Sequence, residues 1–310
     1  MEPKASCFSL VSFVEKFHRK TFKSSNLALQ TIKIDSETTI QLWMPIRSSK
    51  TTICKPSLVL IHGFGFNPLW QWYKQVKLLS IHFSLYVPEL IFTGKSTTTS
   101  SERTEIFQAV SLGKVMETLG VETYSVLGSS YGGFVAYHMA RLFPQRVERV
   151  VIANSAINLR LKDNEELLKN INFEKIEDLL MPVKASQLRT LMSLTYYKPP
   201  FAPDFLLRDI IRTMMSDNRE EKLQLLKELT IGKDNTVEIS QLHQQVLILW
   251  GEHDKLFPVE KAYELKKLLG DKVSMEVIKK TAHEPQLENP KLFNDTVMKF
   301  LSSTTDDKNE

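Results

Sequence analysis

The stretch that most restricts the fold is YSVLGSSYGGFVAYHMA, Tyr124 to Ala140. An apolar run of strand length reaches a Gly-Ser-Ser turn, and a segment of helical periodicity starts immediately after it. The turn fits G-x-S-x-G in one register alone: Gly128, Ser129, Ser130, Tyr131, Gly132. Centring the pattern on Ser129 would need glycines where Leu127 and Tyr131 stand. Strand, tight turn and helix in direct succession form part of a βαβ unit, so the rest of the chain has to supply neighbouring parallel strands.

From Leu27 to Ile46, alternating apolar residues around the polar turn SETT predict an antiparallel hairpin. After the loop Lys50–Pro56, SLVLIH is a short continuous apolar run of the kind that forms a strand buried on both faces. A helix is expected over Leu69–Leu79, then the strand FSLYVPEL, a helix over about Arg103–Leu119, and the strand TYSVLG. A helix over Tyr131–Phe143 and the strand VERVVIANS follow. The alternation stops after Ser155. It resumes at QVLILWGEHD, Gln245–Asp254, with a helix from Pro258, the strand KVSMEVIKK and a last helix over Pro290–Leu301. The fold class predicted is α/β, a mostly parallel central sheet flanked by helices, with an inserted helical cap.

The interruption contains no glycine between Gly133 and Gly232 and is rich in Leu, Lys, Glu and Met, which suits several helices. Most of its large residues, Met181, Met192, Met214, Met215, Phe173 and Tyr196 among them, are expected to hold the cap together. A minority facing the sheet would line an adaptable apolar pocket. The chain therefore divides into an N-terminal helical segment (1–26), a core (27–155 and 241–303), the cap (156–240) and a polar, disordered tail (304–310).

A formal charge of +4 on 310 residues, without a basic cluster interleaved with aromatics, argues against nucleic acid as a partner. Cys7 and Cys54 match neither a disulfide framework nor a metal-ligand spacing. They suit a reducing compartment, the cytoplasm, with the nucleus or the membrane periphery as alternatives, and neither a metal nor a cofactor is expected. No apolar run approaches the roughly 20 residues needed to span a bilayer. CFSLVSFVEKFHRKTFKSS, Cys7 to Ser25, is apolar at helical spacing, but Glu15 and Lys16 interrupt it as they would not interrupt a secretory signal. A helix packed on the body of the protein is expected, with peripheral contact with a membrane surface as the alternative.

Ser130 is the candidate nucleophile. A strand that turns sharply into a helix strains the turn residue by about 1–3 kcal/mol. Gly128 and Gly132 remove the Cβ atoms that would block close helix–strand packing. The hydroxyl is then lifted beside a helix N-terminus, whose dipole favours developing negative charge. A serine needs a base. Of seven histidines, His283 in KKTAHEPQLENP lies just past the last strand, in a loop long enough to reach over the C-terminal edge of the sheet. His18, His138 and His243 fit structural or surface roles, and His62 fits a brace within its own loop. Asp254 in LILWGEHDKLFP ends the preceding strand at the same edge and is the candidate for orienting His283. Glu252 is the alternative acid, and His253 a rival base whose place in the same turn directs it elsewhere. The backbone N–H groups of Tyr131, after the nucleophile, and Phe64, in HGFGF, are candidate oxyanion donors.

Together HGFGF, GSSYGG, WGEHDKLFP and AHEPQLENP, in the order Ser, Asp, His, resemble the α/β-hydrolase fold superfamily over about Leu27–Leu301. The chain is similar to its capped branch of lipid and carboxylic ester hydrolases, carbon–carbon bond hydrolases, epoxide hydrolases and plant hormone receptors. It looks most like plant members with PDLLFFGxS after an early strand; here the stretch is PELIFTGKS, with Glu89 and Thr93 as departures. Epoxide hydrolases and dehalogenases carry aspartate at the nucleophile position, where this chain has Ser130. The resemblance implies a serine hydrolase for a small, apolar carboxylic ester, working through an acyl-enzyme without a cofactor. A ligand receptor on the same fold, a lyase or acyltransferase, and a carbon–carbon bond hydrolase are the competing expectations.

Overall fold

The computed structural model describes residues 9–46, 55–233 and 238–303. Cys7, Cys54 and the polar tail 304–310 lie outside the described residues, and with them the expectations placed there. The hairpin is β1 (Leu27–Lys33) and β2 (Thr38–Pro45), paired antiparallel. Its turn is closed by Asp35, whose Oδ1 accepts from the amides of Glu37 and Thr38. β2 then pairs antiparallel with β4 (Ser84–Pro88) and with a two-residue strand, β5 (Thr97–Thr98), too short to leave a pattern in the sequence. From β4 onward every pairing is parallel, through β3 (Ser57–Ile61), β6 (Tyr124–Ser129), β7 (Val147–Ala153), β8 (Gln245–Gly251) and β9 (Val273–Ile278). The order across the nine-stranded sheet is β1-β2-β4-β3-β6-β7-β8-β9, with β5 alongside β2.

Period-two alternation sends successive residues of the central strands to opposite faces. Val126, Ile152 and Ile248 pack with helices α4 (Glu105–Thr118), α5 (Tyr131–Leu142) and, further along, α11 (Val259–Leu269). Leu127, Val151 and Leu249 face the other way, towards Trp72 of α2 (Pro68–Trp72), Leu79 of α3 (Val76–His82) and Phe293 of α13 (Pro290–Ser302). Both faces are covered, as a parallel sheet requires. The one helix expected over Leu69–Leu79 is two. The chain breaks after Trp72, and the buried side chain of Gln75, at the start of α3, donates to Gln286 O at 2.9 Å and to Asn294 Oδ1 at 3.1 Å, anchoring that start to a distant part of the chain.

The N-terminal helix, α1 (Leu10–Ser24), buries Val11, His18 and Phe22 against the body, with His18 stacked on Tyr73. Among the described residues no helix is long and apolar enough to cross a membrane. Between β7 and β8 the described residues form helices and no strand: α6 (Leu161–Ile171), α7 (Ile176–Leu180), α8 (Ala185–Thr195), α9 (Asp204–Ile210) running into one π turn at Ile211–Met215, and α10 (Arg219–Glu228). Leu179, Leu188, Leu191, Leu207 and Met215 form their shared core, which Leu256 joins from the sheet side. A last short helix, α12 (Pro285–Glu288), precedes α13.

Candidate active site

Four loops leave the C-terminal ends of neighbouring parallel strands at one edge of the sheet, where open α/β sheets gather their functional groups. They start at His62 after β3, Ser130 after β6, Asn154 after β7 and Glu252 after β8. Ser130 sits at φ 53°, ψ −125°, a left-handed conformation for a residue with a Cβ. It is held there by its N–H donating to Ala153 O at 2.9 Å and by its carbonyl accepting from Gly133 N and Ser155 Oγ. The flanking glycines are required by contact. A Cβ on Gly128 would lie 2.0 Å from Gly132 O, and one on Gly132 would lie 2.2 Å from Ile61 O.

Asp254 is buried, and its carboxylate receives four hydrogen bonds. Oδ1 accepts from the amides of Leu256 and Phe257, both at 2.9 Å. Oδ2 accepts from Asn154 Nδ2 at 2.7 Å and from His283 Nδ1 at 2.8 Å. With Nδ1 carrying the proton towards Asp254, Nε2 of His283 is the basic nitrogen. Burial by itself would lower the His283 pKa, but the charge and hydrogen bond of Asp254 outweigh it and hold the imidazole above its ordinary value. The backbone N–H of His283 also donates to Thr195 O at 3.0 Å, tying this loop to α8.

Ser130 and His283 line one cavity of about 420 Å³. Phe64, Phe66, Phe134, Leu191, Met215 and Leu256 are among its apolar lining residues. The loop carrying Phe64 rests on the elbow: a Cβ on Gly63 would stand 3.1 Å from Ser130 Cβ. Gly65, at φ +84°, turns the loop beside Met215. Phe64 N–H therefore follows the residue against Ser130, and Tyr131 N–H follows Ser130 at the start of α5.

The structure thus brings Ser130, Asp254, His283 and the Phe64 and Tyr131 segments to one edge of the sheet. It does not bring in the rivals. Glu252 accepts from Lys280 N at 3.2 Å, and His253 stacks on Tyr197 with ring centroids 4.6 Å apart. His138 lies 3.6 Å from buried Glu105. His62 is a brace: its Nε2 accepts from Leu90 N–H at 3.0 Å, so Nδ1 bears the proton and donates to Gly63 O at 2.7 Å. Burial lowers its pKa to about 4, which keeps it neutral.

Three polar residues at this edge were not singled out by sequence reasoning. Asn154 (φ 43°) bridges Asp254 and Ala282 O, and Gln71 is buried beneath the Phe64 loop. Glu284 lines the cavity next to His283, and burial pushes its carboxyl up to about 7, although His283 and a hydrogen bond from Gln286 pull it down. The only sequence signal for the first was an asparagine at a strand end, a residue type that tolerates left-handed backbone.

A family model for the alpha/beta hydrolase fold matches residues 56–193. The carboxylesterase YbfK of Bacillus subtilis is 24% identical over 250 residues, spanning 79% of this chain and 80% of its own. Its crystal structure superposes with a TM-score of 0.70 over 93% of this chain and 98% of that one, at 20% identity. A bacterial membrane phospholipase A superposes with a TM-score of 0.77, at 21% identity, over 94% of this chain and 90% of its own. This chain has the α/β-hydrolase fold. A carbon–carbon bond enzyme of the same fold, 2-hydroxy-6-oxo-6-phenylhexa-2,4-dienoate hydrolase from Rhodococcus sp. strain RHA1, is similar too, at 18% identity and TM-score 0.72 over 89% and 99% of the two chains. On this hydrolase fold the helices between β7 and β8 form the cap, and the cavity lies between cap and sheet edge, with Leu191 and Met215 from the cap and Phe64 and Phe134 from the core.

Proposed function

We propose that the protein is a serine hydrolase that cleaves a carboxylic ester with an apolar acyl or alcohol part. The observation that carries this reading is the strained Ser130, opening into the same cavity as a histidine that is held by a fully hydrogen-bonded aspartate. Ser130 Oγ attacks the ester carbonyl as His283 Nε2 takes its proton, and Asp254 keeps the imidazole oriented and stabilises the cation that forms. The Phe64 and Tyr131 amides hold the oxyanion, an interaction whose loss commonly costs about 10²–10³ in rate. His283 then protonates the leaving alcohol, and water, deprotonated by the same imidazole, releases the acid. No step in this scheme calls on a metal or an organic cofactor. The name of the carboxylesterase relative supports the ester; the likeness to plant members rests on PELIFTGKS, where Glu89 is buried against Gly94.

Steady-state turnover of short p-nitrophenyl esters tests the proposal. Multiple turnovers lost in Ser130→Ala would support it. A single burst that leaves Ser130 acylated would favour the receptor reading, for which a mainly apolar cavity is equally suited. Cleavage of a vinylogous diketone in preference to every ester would favour the carbon–carbon bond hydrolase.

A further inference from the structure

Between the end of β3 and Phe64 stand His62 and Gly63, and glycine fixes neither of its own dihedral angles. Yet both peptide planes around Gly63 are pinned. The plane before it presents the Gly63 N–H, which donates to Gln71 Oε1 at 2.6 Å. The plane after it presents Gly63 O, which accepts from His62 Nδ1 at 2.7 Å. That second plane also contains the Phe64 N–H, and in a trans peptide the N–H points opposite to the carbonyl. Holding Gly63 O on one side therefore aims Phe64 N–H to the other. His62 alone cannot do this, because rotation about the preceding plane would swing both groups together.

Gln71 is itself buried and fixed. Its Nε2 donates to Ser129 Oγ at 3.1 Å and reaches Glu284 Oε2 at 3.4 Å. The orientation of the amide follows from its partners: the Gly63 N–H can only donate, so the carbonyl oxygen faces it, and the NH₂ faces the carboxyl. One side chain thus joins three segments, the Phe64 loop, the residue before Ser130 and the residue after His283. Building on the hydrolase reading above, we infer that Gln71 is a positioning residue that sets the direction of the Phe64 oxyanion donor relative to Ser130 and His283.

The test uses the full-length protein and two readouts. Gln71→Met keeps the volume and removes the acceptor. Its kcat on p-nitrophenyl butyrate should fall about 10–100-fold with KM changed less than threefold, since the oxyanion forms only in the transition state. Hydrogen exchange of the segment 62–66, followed by mass spectrometry, should accelerate at least tenfold. A polar swap keeps the idea open to refutation if methionine disturbs folding. Gln71→Glu still accepts from Gly63 but sets two carboxyls together, and it should lose rate; adding Glu284→Gln restores a donor across the pair and should recover at least tenfold of that loss over Gln71→Glu alone. Unchanged exchange of 62–66 in Gln71→Met, unchanged kcat, or a double variant no better than the single would overturn the inference while leaving the hydrolase reading intact. A wild type that turns over no ester, with exchange of 62–66 still dependent on Gln71, would sink the hydrolase reading and the catalytic role inferred from it.

Discussion

Ser130 and His283 meet their environments in opposite ways, and each makes a prediction. Ser130 is strained, by about 1–3 kcal/mol for a residue with a Cβ at positive φ. Ser130→Gly should therefore be more stable than Ser130→Ala by about 1 kcal/mol in urea denaturation, after allowing for the extra chain entropy of glycine. Both should lose ester turnover and labelling by a fluorophosphonate, whereas an adduct persisting in either would mean the nucleophile lies elsewhere. His283 is stabilised as a cation. In the proposed role of general base it must be neutral, so activity should fall as pH drops through its pKa, which lies above the ordinary 6.5. The acid limb of kcat/KM should have its midpoint above 6.5, and should move down in Glu284→Gln, whose lost charge is one of the influences that raise the imidazole. In Asp254→Asn burial remains and the charge is gone. The limb should move below 6.5 as the rate drops by about 10²–10⁴. A limb that stays put would show that Asp254 does not set the imidazole's charge. The same linkage makes the raised His283 pKa contribute to stability fully below the imidazole's unfolded value, a contribution lost as pH rises through the folded one.

At the scale of the element, β6 and α5 meet so closely that backbone stands where a side chain would go. Gly132→Ala puts a methyl 2.2 Å from Ile61 O and 2.6 Å from His62 O, neither of which can rotate away. It should cost about 3 kcal/mol, the upper part of the range for overpacking. Gly120→Ala is the contrast: φ is +68° but nothing lies within 4 Å, so strain alone should cost about 1–2 kcal/mol. Equal losses in chemical denaturation would refute the close-approach account. The elbow was legible in the sequence because close packing needs glycine and leaves the G-x-S-x-G spacing behind. The parallel sheet was legible because strands buried on both faces read as uninterrupted apolar runs. Asp254 and His283 were legible as residues that follow two consecutive strands at one edge of the sheet. Gln71 and Asn154 were not, because what they do depends on partners 58 and 100 residues away, and no local periodicity records such contacts. The break between α2 and α3 escaped too, and the partners of Gln75 at the start of α3, Gln286 and Asn294, are as remote in sequence.

At the scale of the whole molecule, cap and core meet around the cavity through apolar packing, Leu256 joining the cap's core and Leu225 and Ile231 joining the sheet's, and through polar and charged contacts. Arg103 pairs with Glu221 at 2.8 Å, and Tyr197 N–H donates to Glu288 Oε1 at 2.9 Å. A mainly apolar cavity of about 420 Å³ should then select by length and by charge. Each methylene added to the acyl chain should raise kcat/KM about fourfold, from roughly 0.8 kcal/mol per buried CH₂, until the cavity is full. Leu191, buried in the cap and lining the cavity, marks one wall. Leu191→Ala should move the preferred chain length upward by a carbon or two rather than lower activity at every length. Charge is set by Glu284, which is ionised above about pH 7 beside the reacting centre. At pH 8 an ester with a terminal carboxylate on its acyl chain should react at least tenfold more slowly than its neutral counterpart of equal length, and Glu284→Gln should narrow that gap. Rates on a homologous ester series, wild type against the two variants, decide the matter. A flat profile with chain length would mean that the acyl part does not occupy the cavity, and a gap unaltered by Glu284→Gln would move the source of charge selection to the other charged lining residues, Glu174, Lys175, Glu177 and Lys227 among them.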